Sequence, residues 1–122
     1  MPGAFEIDTA NEIVFGHVTG NLVEAELFTL QDALRSDPAF KPHFRQLIDF
    51  TAVTEADVST EAVRRLAIGN PFGPGARRAF VAPLPLVFGL ARMFEMLIEQ
   101  GRDEVQVFRE LPEARRWLGL DP

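Results

Sequence analysis

The sequence predicts a single α/β domain, with elements in the order β-β-α-β-α-β-α-β-α and a mixed, mostly parallel five-stranded sheet joined by crossover helices. Three observations predict it. Short β-prone runs alternate with segments of helical periodicity, which implies parallel strands linked by helices. A length of 122 residues suits one domain with one core. Hydrophobic residues at 47% and charged residues at 25% belong to an ordinary globular chain, and neither a repeat nor a linker divides it.

The elements follow in order. Residues 5–8 and 12–18 are β-prone runs parted by Thr9, Ala10 and Asn11, a hairpin that adds one antiparallel strand. Gly20 and Asn21 break the pattern. Asn21 is placed to cap a helix over residues 22–35, with Glu24 three positions on as in a capping box. Leu22, Ala25, Phe28, Leu30 and Leu34 form its apolar face, and Asp37-Pro38 ends it. Residues 46–50, QLIDF, predict a buried strand, and residues 51–57 a polar connection. Ser59 or Thr60 caps a second helix reaching Ile68, with Glu61 in its first turn. GNPFGPG, residues 69–75, is loop. RAFVA, residues 78–82, predicts a strand stopped by Pro83. Pro85 opens a helix over residues 85–100 that Gly101 closes. VQVFR, residues 105–109, is the last strand. A short helix over residues 111–118 follows, with Pro112 near its start and Gly119 behind it.

Composition narrows the function classes. The absence of cysteine removes disulfides, thiolate metal sites and thiol catalysis, and suits a cytoplasmic protein. No basic stretch followed by an apolar one opens the chain, so no signal peptide is expected. No apolar run approaches the ~20 residues of a membrane helix. A net charge of −6 makes nucleic acid and anionic membrane surfaces poor partners. Lys41 is the only lysine among 12 basic residues, a bias of the kind a GC-rich genome produces, and tyrosine is absent while phenylalanine occurs 11 times.

Catalytic and cofactor motifs are missing. His17 lies in a strand and His43 in a loop, neither with ligand spacing around it, so no metal is expected. No Gly-x-Ser-x-Gly elbow exists, and Ser36 and Ser59 are the only serines. GNPFGPGARR lacks the Gly-Lys-Ser/Thr of a phosphate loop and runs into a strand instead of opening a helix. It reads first as a flexible connection with Arg77 solvated and Arg78 half-buried, and second as a ligand-gating loop. Asp49, near the C-terminal end of a buried strand, serves either a ligand at the sheet edge or the following turn. No cofactor is expected.

The helix over residues 85–100 is the most unusual segment. At ~100° per residue its Leu, Met, Phe, Val, Ile and Ala side chains span an arc of roughly 220°, about twice what packing on one sheet needs. Phe88 falls on the opposite side, among Arg92, Glu95 and Glu99. Either neighbouring elements bury this helix deeply, or its second flank meets another subunit, a protein partner or an apolar ligand. Met93 and Met96 suit an adaptable surface.

Several segments together resemble the SpoIIAA-like family, related to STAS domains and named together with the SEC14 lipid-binding fold. They are FEID, EIVFGHVTG, QLIDFTAVTEADVS, RRAFVAPLPLVFGLARMFEML and VQVFRELPEARRWLG, covering nearly the whole chain. The resemblance implies the fold above. For STAS domains of the anti-sigma-factor antagonist type it also implies a phosphorylated Ser directly after an Asp, at the start of the helix following a Leu-x-Asp-Leu strand. With LIDF on that strand, Asp57 matches the motif Asp. The acceptor position falls on Val58, with Ser59 and Thr60 the nearest hydroxyls, so the phosphorylation switch is not supported.

Three expectations follow. The leading one is a non-enzymatic regulatory or protein-interaction module, a homodimer or partner-binding domain using Phe88, Arg92, Met93 and Met96, with Asp57, Ser59, Thr60, Arg77 and Arg78 as a regulatory or ligand loop. The alternative is an apolar-ligand or lipid-binding domain of SEC14-like type, with a pocket framed by phenylalanines and residues 69–76. The third is an enzyme, which requires Asp49, Asp57, Arg78 and Arg92 to converge.

Overall fold

The computed structural model describes residues 3–98 and 102–122. The elements are β1 (Gly3–Asp8), β2 (Ile13–Val23), α1 (Glu24–Ser36), β3 (Arg45–Asp57), α2 (Thr60–Ile68), β4 (Arg77–Val81), α3 (Pro85–Leu97), β5 (Glu104–Phe108) and α4 (Leu111–Trp117). They form one five-stranded sheet in the order β1-β2-β3-β4-β5. The β1–β2 pair is antiparallel, and each later pair is parallel. The expected fold class and element order therefore hold.

The topology dictates the layering. Each crossover from β2 to β5 steps in the same direction, so connections of one hand put α1, α2 and α3 on one face. Only α4, after the last strand, reaches the other. Strand alternation divides the side chains to match. In β4, Ala79 and Val81 pack with Ala114 of α4 and with Leu118 just after it, while Phe80 and its successor Ala82 pack with Val63, Leu66, Val87 and Phe94. A third cluster, with Val14, Leu34, Phe40, Phe44 and Phe72, fills the space beneath the 37–44 and 69–76 loops.

Several local expectations need correction. Asn21 caps no helix; it pairs with Glu55 in the β2–β3 ladder, and α1 starts at Glu24 behind Val23, which makes no side-chain cap. Residues 51–57 are strand, not a polar connection, because β2 continues to Val23 and gives them a parallel partner. The extension is irregular, with register shifts near His17 and Gly20. Gly20 has φ +72°, a left-handed conformation that favours glycine. In α1, Phe28, Leu30 and Leu34 of the expected stripe pack inward with Leu27, while Ala25 faces solvent; Leu22 is buried as part of β2. The third helix ends at Leu97, with Ile98 already extended; the expected continuation to Gln100 and stop at Gly101 lie outside the described residues.

Other signals act as read. Ser59 Oγ accepts from Ala62 N at 3.0 Å and caps α2. Pro85 occupies the first turn of α3. Gly119, at φ +81°, closes α4: its N–H reaches Arg116 O at 2.9 Å while Leu120 N reaches Arg115 O at 2.8 Å, the paired bonds of a Schellman motif.

Candidate functional site

Between the sheet and the three helices lies a cavity of about 140 Å³. Its walls are almost wholly apolar: Leu27 and Leu30 of α1, Val63 and Leu66 of α2, and Leu90 and Phe94 of α3 are among them. The strand side presents Gly16, Val18, Ile48, Phe50 and Phe80. Polar ties hold α1 beside the cavity. At its N-terminal end Glu24 Oε1 accepts from Ser59 N at 2.9 Å, and at its C-terminal end Arg35 Nη2 donates to Gly69 O. These polar ties fix α1 to both ends of α2 at the rim. Leu27, Phe28 and Leu30 between the ties stay only partly buried.

One end of the cavity is polar. Arg78 is fully buried, not half-buried as expected, and so is Gln46 beside it. Arg78 Nε donates to Gln46 Oε1 at 2.8 Å, and Nη1 donates to Asn70 Oδ1 and Asp103 Oδ2, each at 2.9 Å. Asn70 closes the ring, donating to Asp103 Oδ1 at 2.9 Å while its own oxygen accepts from Phe72 N at 3.1 Å. The Arg78 guanidinium also lies 4.1 Å from the Phe72 ring centre and 5.2 Å from that of Phe94. Burial pushes its pKa down to about 10, partly opposed by the hydrogen bond and charge of Asp103, so it stays protonated at neutral pH. The network pins the 69–76 loop to β4.

Asn70, Asp103 and Gln46 were not anticipated. The available signal was an arginine at the start of an apolar strand. Such an arginine requires buried acceptors, and Asn70 and Asp103 flank that strand in sequence.

The predicted regulatory loop does not assemble. Arg77 and Arg78 alternate across β4: Arg77 lies on the α4 face, 4.1 Å over the Trp117 ring and donating to Trp117 O at 2.9 Å, while Arg78 points to the other. Arg78 pairs with Gln46 near the start of β3, whereas Asp57 ends that strand, with Ser59 and Thr60 just beyond. The two halves of that loop therefore sit at opposite ends of the sheet.

The surface predicted on α3 is divided. Phe88 is half-buried with the Arg109 guanidinium 4.0 Å over its ring, and Met93 packs partly against the core. Arg92 pairs with Glu95 at 3.1 Å. Met96 is 71% exposed, and Leu86, Leu97 and Ile68 of α2 join it outside. Among the four groups an enzyme would need together, Asp49 accepts from Thr51 N at 2.8 Å, Asp57 faces solvent, Arg92 is on the outer side of α3 and Arg78 is buried. His43 bonds Glu12 Oε2 at 2.9 Å and His17 is exposed, opposite Asp49 in register. Among the described residues no three His, Cys, Asp or Glu side chains gather as a metal site, and no helix is long and apolar enough to cross a membrane.

A five-stranded mixed sheet with α1–α3 on one face and α4 on the other defines the SpoIIAA-like fold. Among solved structures, the chain is similar to an uncharacterised protein of the DUF3478 family, with a SpoIIAA-like fold, from Shewanella loihica PV-4. The TM-score is 0.62 at 18% identity, covering 95% of this chain and 93% of that one. No family model matches the sequence, and no curated protein does.

Proposed function

We propose that this protein is a non-enzymatic binding module whose ligand is a small apolar molecule held between the sheet and helices α1–α3. The cavity carries this reading: its walls come from all three helices, yet α1 leaves it unfilled. A close-packed core of this size has few voids larger than a water molecule, and an apolar void is the environment in which an apolar ligand gains most. A cytoplasmic site of action suits the cysteine-free composition.

Native mass spectrometry of the purified protein, with an NMR titration using methylenecyclohexane, tests the reading. Saturable shifts confined to Leu30, Val63, Leu66 and Phe94, abolished by Ala91→Phe, are expected. Shifts scattered over the outer surface, or unchanged in Ala91→Phe, would overturn it.

A second reading, a protein-interaction surface used in homodimerisation, has its own observation. Ile68 at 78% exposure and Met96 at 71% lie with Leu86 and Leu97 on the outward side of α2 and α3, beyond what the fold buries. Sedimentation equilibrium of the wild type and a Met96→Glu/Leu97→Glu variant tests it: a dimer that dissociates in the variant supports it, and a monomer at all concentrations sinks it.

A further inference from the structure

The polar end of the cavity specifies more than an apolar shape. Arg78 and Gln46 are exposed by only 4% and 6%, and both line the cavity. Arg78 Nε is a donor, so the Gln46 oxygen must face it, which leaves the Gln46 Nε2 amide group as a donor. Nε2 has no acceptor among the described residues. Nor does Arg78 Nη2, since Nε and Nη1 account for the bonds that the guanidinium makes. Nη2 shares one edge of the planar guanidinium with Nε, the edge turned to Gln46. Two unpaired donors on one nearly buried, hydrogen-bonded pair thus border the cavity, whose other polar lining residues are His17 and Gln31.

Charge decides what fills this place. Arg78 and Asp103 form an ion pair at 2.9 Å with side chains 5% and 0% exposed, and both Asp103 oxygens are occupied, by Arg78 and Asn70. The pair is neutral as it stands. A carboxylate or phosphate would add a net negative charge to a buried site, and a cation would meet the guanidinium. An uncharged acceptor satisfies the donors without either penalty.

We propose that the ligand carries one uncharged hydrogen-bond acceptor, a ketone, ester or amide carbonyl, which accepts from Arg78 Nη2 and Gln46 Nε2 while its apolar body fills the space beneath α1. This rests on the cavity being the ligand site.

The test compares three probes of similar size by NMR titration of the full chain: cyclohexanone, methylenecyclohexane, which has nearly the same shape without the acceptor, and cyclohexanecarboxylate. In Gln46→Met, and in Arg78→Met if it folds, the ratio of ketone to alkene affinity is expected to fall at least tenfold from wild type, or about 1.4 kcal/mol. Comparing ratios between variants cancels the difference in hydration of the probes. The carboxylate is expected to bind more weakly than the ketone in wild type and to gain on it in Asp103→Asn, where Arg78 loses its counter-charge. An unchanged ketone-to-alkene ratio in Gln46→Met, with both probes still binding, overturns this inference and leaves the apolar site standing. Failure of all three probes to bind overturns the site itself.

Discussion

The two faces of the sheet are built on opposite plans. On the α4 face, a seven-residue helix brings Ala114 and Leu118 against Ile13, Leu47, Ala79 and Val81. Ala79 and Ala114 make the centre small and close, Phe15, Phe108 and Trp117 pack around it, and arginines seal the end: Arg45 Nη1 donates to Leu118 O at 2.6 Å and Arg77 caps Trp117. On the other face, three helices and large aromatics surround a void and a buried ion pair. The difference teaches that added helices do not guarantee a closed core. Small side chains let one short helix reach the sheet, whereas α1 packs on it closely at Leu34 and leaves Leu27, Phe28 and Leu30 only partly buried.

Four experiments break or sharpen that contrast. The largest effect is expected from Asp103→Leu, which leaves Arg78 as an uncompensated buried cation. Removing one partner of such a pair costs about 3–5 kcal/mol, readable as a shift of the urea midpoint. An effect under about 1 kcal/mol would mean that the network is not closed to water.

The contrast itself is tested by adding volume to each side. Ala114→Leu should cost about 1–3 kcal/mol, because the α4 face has no space. Val63→Ile, on the cavity wall, should cost less than about 0.5 kcal/mol or stabilise. Equal penalties from thermal unfolding would erase the distinction.

Ser59→Ala removes the α2 cap and is expected to cost about 1 kcal/mol, with Ser59→Asp retaining most of the stability. At the small end, the β1–β2 turn lies outside both faces. Asn11 donates side-chain and backbone hydrogen bonds to Asp8, holding that carboxyl below its ordinary value. A lowered carboxyl pKa gives stability that is present above the unfolded value and lost as pH falls through the lowered one. NMR titration should find Asp8 titrating early, and Asn11→Ala should return it towards an ordinary aspartate without disturbing either face.

Much of the architecture was legible in the sequence because its cues are local. Ser59, Pro85 and Gly119 act within one helical turn of where they stand, and the alternation in RAFVA sorts Ala79 and Val81 from Phe80. Where a local cue met a stronger distant partner, it lost. Asn21 has the chemistry of a cap, but the β3 ladder claims its backbone. Residues 51–57 look like a polar loop because only one side of the two-stranded extension is covered, which leaves Val53 as its one fully buried side chain.

By itself the sequence determined the element order, the mostly parallel sheet and the caps at Ser59 and Gly119, since each rests on neighbours a few residues apart. Only the tertiary structure decided that Arg78 is buried, that Gln46, Asn70 and Asp103 gather round it from 8 to 32 residues away, and that Leu27 and Leu30 of α1 border a cavity. A cavity is a property of how separate elements meet, and the partner of a buried charge is chosen by proximity in space. Neither is written in any one stretch of the chain.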